Sequence, residues 1–233
     1  MKLGIMQPYF LPYLGYFQLI NEVDKFVVYD NIQFTKTGWI NRNRILVNGK
    51  EMVFSINLTK DSSYLNVCDR TISPVYKVER KKILRKIESG YRNADFYKEV
   101  MPLLTDIIEC DMDNLFDYIL NSIVKINEYL NINTPIVISS SLTVSHELKG
   151  EDRVIETCKQ SNCNEYVNPI GGIELYSKEN FQNNKLSLSF IEMGSIIYPQ
   201  GKEGFVSHLS IIDVLMWNSR EDVCRLLTNY ELI

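Results

Sequence analysis

Two histidines, two tryptophans and five cysteines are all that the 233-residue chain holds of those three residue types. An odd, irregularly spaced set of cysteines is no disulfide framework, and Cys158 and Cys163 form its closest pair. Zinc sites need two such pairs or a Cys/His combination. No metal site is therefore expected, and free thiols in a reducing cytoplasm are the natural reading. No run of 18 apolar residues occurs, so no membrane span is expected. Met1 to Met6 leads straight into Gln7-Pro8-Tyr9, too short an apolar run for a signal peptide and without a small-residue cleavage site. Basic surplus is missing too. Lys and Arg number 25 against 29 Asp and Glu, a net charge of -4, which speaks against a nucleic-acid backbone as the partner. None of the G-x-S-x-G, H-E-x-x-H or G-x-G-x-x-G patterns occurs.

What is there is an ordinary globular composition, 45% hydrophobic and 23% charged. A chain of this length buries enough surface to need no covalent staples. Lys2 to Met6 reads as a short buried strand, Gly15 to Val23 as a helix, and Phe26 to Tyr29 as a second strand ending at Asp30. That β-loop-α-β order implies a parallel pair with a right-handed crossover. Arg44 to Val47 and Met52 to Ile56 flank Asn48-Gly49, the strongest short hairpin signal. Leu58 to Pro74 has no period and reads as a loop. Three helices follow over 76–89, 95–109 and 113–130, the second with Pro102 as a kink or boundary and the last with the clearest apolar stripe. Strands are expected at 135–138, 165–167 and 186–191, and helices at 151–160, 210–217 and 220–227. The fold class expected is α/β: a mostly parallel, Rossmann-like sheet flanked by helices. One domain over 1–233 would carry a hairpin near 43–57 and a helical insertion near 76–131.

In open α/β sheets, ligands bind beyond the carboxyl ends of the strands. Gln7 and Asp30 fall at two such ends. Gln7 opens a loop crowded with Tyr9, Tyr13 and Tyr16, whose rings would wall a sugar or a base, or else pack on the sheet. Asp30 opens a stretch with Lys36, Trp39, Asn41, Arg42, Asn43 and Arg44. An arginine there would grip a phosphate, the asparagines would read hydroxyls and Trp39 would stack. Alternation puts Arg42 and Arg44 on one face and Asn41 and Asn43 on the other. The competing reading is a charged hairpin edge. Asn168-Pro169-Ile170-Gly171-Gly172 is a third candidate, a turn that would offer backbone N–H groups to an anion. His208 precedes the helix at 210 and is the candidate proton acceptor. Ser210 and Asp213 have the spacing of a capping box. His146, in Ser145-His146-Glu147, is expected to be solvated. The basic run Arg80-Lys81-Lys82, Arg85, Lys86 is a solvated helix face, or one that steers an anionic partner.

The opening Ile5-Met6-Gln7-Pro8-Tyr9-Phe10-Leu11-Pro12-Tyr13-Leu14-Gly15-Tyr16-Phe17 and the block Gly38-Trp39-Ile40-Asn41-Arg42-Asn43-Arg44-Ile45 resemble the WbqC-like protein family. Tyr166 to Tyr176 and Leu209 to Met216 fit it as well. The resemblance implies a place in bacterial O-antigen or other surface-polysaccharide synthesis. It suggests a cytoplasmic transferase moving an acyl or aminoacyl group to the amine of a nucleotide-linked sugar. The donor would be acyl-coenzyme A or a thioester on an acyl carrier protein. His208 or Asp30 would be the catalytic base, and Gln7, Tyr9, Tyr13, Lys36, Trp39, Asn41, Arg42 and Asn168 would bind substrate. The opening also resembles the layout of nucleotidyltransferases, with tyrosines and Gly15 where those enzymes carry two histidines. Nucleotidyl or adenylate transfer is therefore the alternative, and a non-catalytic glycan-assembly factor is a third.

Overall fold

The computed structural model describes residues 1–145, 147–201 and 204–233. His146 lies outside them. The architecture is α/β. A six-stranded sheet has the order β5-β2-β1-β6-β7-β8, from β1 (Lys2–Met6), β2 (Lys25–Val28), β5 (Ile136–Ile138), β6 (Glu165–Pro169), β7 (Ser187–Met193) and β8 (Tyr230–Leu232). The first five run parallel, and β8 pairs antiparallel with β7 at the edge. The chain leaves β1 on one side for β2 and β5, then crosses to the other side for β6 and β7. The reversal of strand order falls between β1 and β6, which is where doubly wound sheets open a crevice.

Side-chain alternation fixes what packs where. Leu3, Ile5, Val27, Tyr166 and Leu188 meet Val154, Ile155 and Phe181, so α5 (Gly150–Gln160) and α6 (Lys178–Asn183) cover one face. The opposite face packs on α1 (Leu14–Glu22), α7 (Ile211–Trp217) and α8 (Arg220–Leu226) in a core that runs on into the helices after the hairpin. Those are α2 (Pro74–Tyr91), α3 (Tyr97–Ile108) and α4 (Leu115–Leu130). Pro102 sits inside α3 rather than ending it. Cys158 and Cys163 are buried, and all five cysteines are free.

The hairpin pairs β3 (Arg42–Val47) with β4 (Lys50–Ser55) antiparallel. Asn48 and Gly49 both take positive φ, 51° and 73°, as a two-residue turn of this kind requires. No helix is long and apolar enough to cross a membrane among the described residues.

Candidate functional site

Three hydrogen-bond anchors shape the loop that leaves β1. Asn43 Nδ2 donates to the carbonyls of Phe10 and Leu11 at 3.1 and 2.7 Å, and Ser210 Oγ donates to Leu11 O at 2.7 Å. Leu11 itself is buried in the left-handed region, φ 46°, a conformation a branched residue holds only when its surroundings impose it. This pinning throws Tyr9 and Tyr13 outward. Tyr16 goes the other way, fully buried, with its hydroxyl donating to Gln7 O. Burial raises the pKa of Tyr9 and Tyr13, so both remain neutral phenols.

Beyond the carboxyl ends of β6 and β7 lies a cavity of about 670 Å³. Tyr13, Gly15 and Gln18 of the α1 region form one wall, Pro169 to Gly171 and Ile191 to Ile197 another, and Phe205, Ser207 and His208 the cover. A second cavity of about 210 Å³ adjoins it, lined by Tyr9, Pro12, Tyr13, Trp39, Asn43, Arg44 and His208. Tyr13 and His208 belong to both, with ring centroids 5.8 Å apart, so the two cavities make one groove divided at that pair.

His208 is exposed and holds φ 57°, and Ser207 Oγ lies 2.9 Å from its Nδ1. The left-handed backbone is strained for a histidine, and the Ser207 contact engages Nδ1. Trp39 is 42% exposed, with the guanidinium groups of Arg42 and Arg44 over its ring at 5.4 and 5.8 Å. The two arginines do share a face, but they differ in commitment. Arg42 donates from Nε to Gly38 O and from a terminal nitrogen to Thr37 O, so it ties the turn before β3 and lies outside the groove lining. Arg44 lines the groove, ion-paired at 2.7 Å with Glu51 on the facing strand and reaching Ser207 O at 3.5 Å.

Of the other expected site residues, Gln7 stands at the foot of the loop, its Oε1 3.4 Å from Tyr9 Oη. Lys36 is exposed on the turn before Trp39 and lines neither cavity. Asn41 spans the open end of the hairpin to Ile56 O. Asp30 is buried with Oδ1 accepting from Ser139 Oγ and the Ser140 N–H, at the ends of β2 and β5 and outside the groove lining. Asn168 is buried below the turn, bonded to Tyr166 Oη and Pro169 O. A Cβ on Gly172 would come within 2.1 Å of its amide, so Asn168 shapes the turn whose Ile170 and Gly171 reach the cavity.

Asp213 corrects the capping-box expectation. Ser210 Oγ does cap α7 by accepting from Ile212 N, but the Ser210 N–H goes to Arg44 O and not to Asp213. The fully buried Asp213 carboxylate accepts from Tyr91 Oη at 2.8 Å, Tyr198 Oη at 2.8 Å and Gln200 Nε2 at 2.7 Å. Burial and this carboxylate push both phenol pKa values up, which keeps both as donors. Gln200 also holds Val206 by its N–H and its carbonyl. Asp213 therefore anchors the segment that brings Phe205, Ser207 and His208 over the cavity. That segment has no period and offered no signal of its own. Gln18 did offer one, an amide between Phe17, Leu19 and Ile20 on a buried helix.

The fold and groove define a doubly wound α/β protein with an aromatic-lined groove at the carboxyl edge of its sheet. The model of the WbqC-like protein family matches residues 7–224, and the chain belongs to that family. The chain is 27% identical over 220 residues to Uncharacterized protein Rv1507c of Mycobacterium tuberculosis, covering 92% of each chain. No solved structure matches it.

Proposed function

We propose that the protein is a transferase that moves an acyl or aminoacyl group onto the amine of a nucleotide-linked sugar. The observation that carries this reading is the junction at Tyr13 and His208, where a large cavity meets a small one rimmed by Trp39 and Arg44. A nucleotide-linked sugar is long, has a flat base at one end, a doubly charged centre and a ring at the other. The groove offers matching parts: a deep, largely apolar chamber, a guanidinium beside the junction, and aromatic faces for the sugar. Arg44 replaces Arg42 as the diphosphate contact, because Arg44 lines the groove and Arg42 does not. His208 takes the base role alone, because Asp30 is held by Ser139 and Ser140 outside the groove.

In the reaction, the sugar amine attacks the carbonyl of a thioester. The C–N bond forms, the C–S bond breaks, the amine proton passes to His208 Nε2 and the thiolate leaves. The donor is acyl-coenzyme A or a carrier-protein thioester. Holding amine and carbonyl in contact supplies most of the acceleration, since a neutral amine attacks a thioester readily. The test is thermal unfolding against UDP- and dTDP-linked amino sugars, ATP with magnesium, coenzyme A and acyl-coenzyme A. A ligand at 100 times its dissociation constant adds about 2.7 kcal/mol, a clear rise in midpoint. The reading requires a rise with a sugar nucleotide that is lost in Arg44→Met and kept in Arg42→Met. A rise with ATP alone overturns it in favour of nucleotidyl transfer.

A further inference from the structure

Helix α2 is basic in an acidic chain. Residues 74–92 hold seven Lys and Arg against two Glu, while the whole chain has a net charge of -4. Tyr76, Ile83, Ile87 and Tyr91 are buried and set the core face of the helix. At about 3.6 residues per turn, the opposite face carries Val78, Lys81, Lys82 and Arg85, and all four are exposed. Val78 is 79% exposed and Val75, on its flank, 55%. Part of the charge is met locally, as Lys77 pairs with Asp111 and Asp113, and Lys82 with Glu79. Among the described residues, no hydrogen bond or ion pair engages the side chains of Lys81, Arg85 or Lys86. Two exposed valines within a ring of free cations have the make-up of a protein interface, an apolar centre with a charged rim. The far end of α2 is tied to the groove. Tyr91 Oη accepts from the Leu46 N–H at 3.1 Å and donates to Asp213 at 2.8 Å. Leu46 is two residues along β3 from Arg44, which lines the groove, and Asp213 anchors the segment that carries His208. Arg85 lies roughly 7.5 Å along the helix from Gly90, which packs against Leu46 O.

We infer that the exposed face of α2 docks an acidic carrier protein, which delivers the acyl group to the groove as a thioester on a long flexible arm. This docking role rests on the transferase reading above and deepens it, by choosing a carrier-bound thioester over coenzyme A as the donor. A free coenzyme A thioester is small enough to be held within the groove and needs no charged face outside it. A donor tethered to a protein needs two contacts, one for the arm and one for the body that bears it. Opposite charge steers such a body to α2 and fixes its orientation, and the valines give it an apolar foothold. The face does not suit a nucleic acid, because the helix's own aromatics, Tyr76 and Tyr91, are buried and leave no ring to stack on a base. Nor does it suit a membrane surface. A helix lying in the bilayer interface sinks bulky Trp, Phe or Leu side chains, and Leu84 here packs on the core instead.

The probe is an acidic bacterial acyl carrier protein acetylated on its pantetheine thiol. Isothermal titration would measure its binding to wild type, to the double variant Lys81→Glu with Arg85→Glu, to Val78→Asp, and to Lys178→Glu on α6 as a control. The carrier is expected to bind wild type and Lys178→Glu alike. Binding falls at least about tenfold in the double variant, falls in Val78→Asp, and weakens as salt is added. The substituted side chains of α2 are exposed, so the melting midpoint stays close to wild type. Should the double variant fail to fold, Lys81→Gln with Arg85→Gln takes its place. Acetyl transfer to UDP- and dTDP-linked amino sugars would be followed in parallel from the carrier and from acetyl-coenzyme A. Carrier that binds wild type and the double variant equally, or that binds neither, overturns the docking role. Product from acetyl-coenzyme A in that case leaves the transferase reading standing. Wild type that ignores the carrier but binds vesicles of phosphatidylcholine with phosphatidylglycerol, through the same cations, overturns the docking role in favour of a membrane surface. Absence of product from either donor overturns both.

Discussion

Replacing Asp213 by alanine is expected to cost about 4 kcal/mol of stability. The carboxylate has no exposed surface and accepts from Tyr91, Tyr198 and Gln200 at 2.7–2.8 Å. Its removal leaves these three donors, among the described residues, facing a small cavity. Tyr91 keeps one bond, accepting from Leu46 N at 3.1 Å, and Gln200 keeps its bond to Val206 O, so neither is wholly orphaned. Hydrogen bonds to a charged acceptor are worth about 1.5–3 kcal/mol each, and removing one member of a buried charged cluster costs about 3–5 kcal/mol. The figure for the cluster applies rather than the sum over three bonds, because two of the donors retain a partner. Asp213→Asn keeps the shape and one acceptor, and should lose only about 1–2 kcal/mol. Urea unfolding followed by tryptophan fluorescence and circular dichroism reads both, with the slope checked for constancy. In a chain of this size the alanine variant should also melt roughly 8–16 °C lower. The loss has a functional side, because Tyr198 and Gln200 tie down the segment that carries His208. Asp213→Ala should weaken ligand binding at temperatures where it remains folded. An alanine variant within 1 kcal/mol of wild type would refute the network as the anchor of this segment.

Gly201 takes φ 66°, and a Cβ there would lie 2.4 Å from the Trp217 ring, so Gly201→Ala should lose about 1–3 kcal/mol, read as a lowered melting midpoint. Asn43→Ala removes both bonds that pin Phe10 and Leu11, and should lower sugar-nucleotide affinity as well as stability, measured by titration and urea unfolding. Burial pushes the Cys158 thiol up from its ordinary 9.0 to about 12. The folded state then holds a proton that the unfolded state releases, so this group's contribution falls as pH rises from about 9 towards 12. A Cys158→Ala variant should show a shallower alkaline decline in urea midpoint than wild type. His208→Ala should cut transfer by about 10²- to 10⁴-fold while sugar-nucleotide affinity changes little, measured by single-turnover rates beside titration.

Local signals carried most of the framework. Asn48-Gly49 gave away the hairpin because a two-residue turn needs two positive φ angles, and α4 was legible because six apolar residues fall on one stripe. Strand β8 was not legible, since Tyr230–Leu232 is too short to show alternation and pairs only through β7. Helix α6, six residues long, gave no apolar period either. The groove was half visible. Tyr9, Tyr13, Trp39 and His208 stood out as chemistry at strand and helix ends, and the fold places them around one space. The arginines illustrate the limit. Alternation put Arg42 and Arg44 on one face, but which one lines the groove depends on how the turn at Thr37 and Gly38 holds Arg42. Asp213 illustrates it again, as a local capping pattern gave way to bonds from Tyr91, 122 residues away, and from Tyr198 and Gln200 in the preceding segment.

In the proposed reaction the groove presents a sugar amine to a thioester, and His208 accepts the proton. Mass spectrometry of products, from UDP- and dTDP-linked amino sugars with acyl-coenzyme A or an acylated carrier protein, tests it most directly. The expected result is a mass gain equal to the acyl group on the amino sugar, none on the matching sugar with a hydroxyl in place of the amine, and a large loss of rate in His208→Ala. Transfer of equal rate to the hydroxyl sugar, or full activity in His208→Ala, would contradict it.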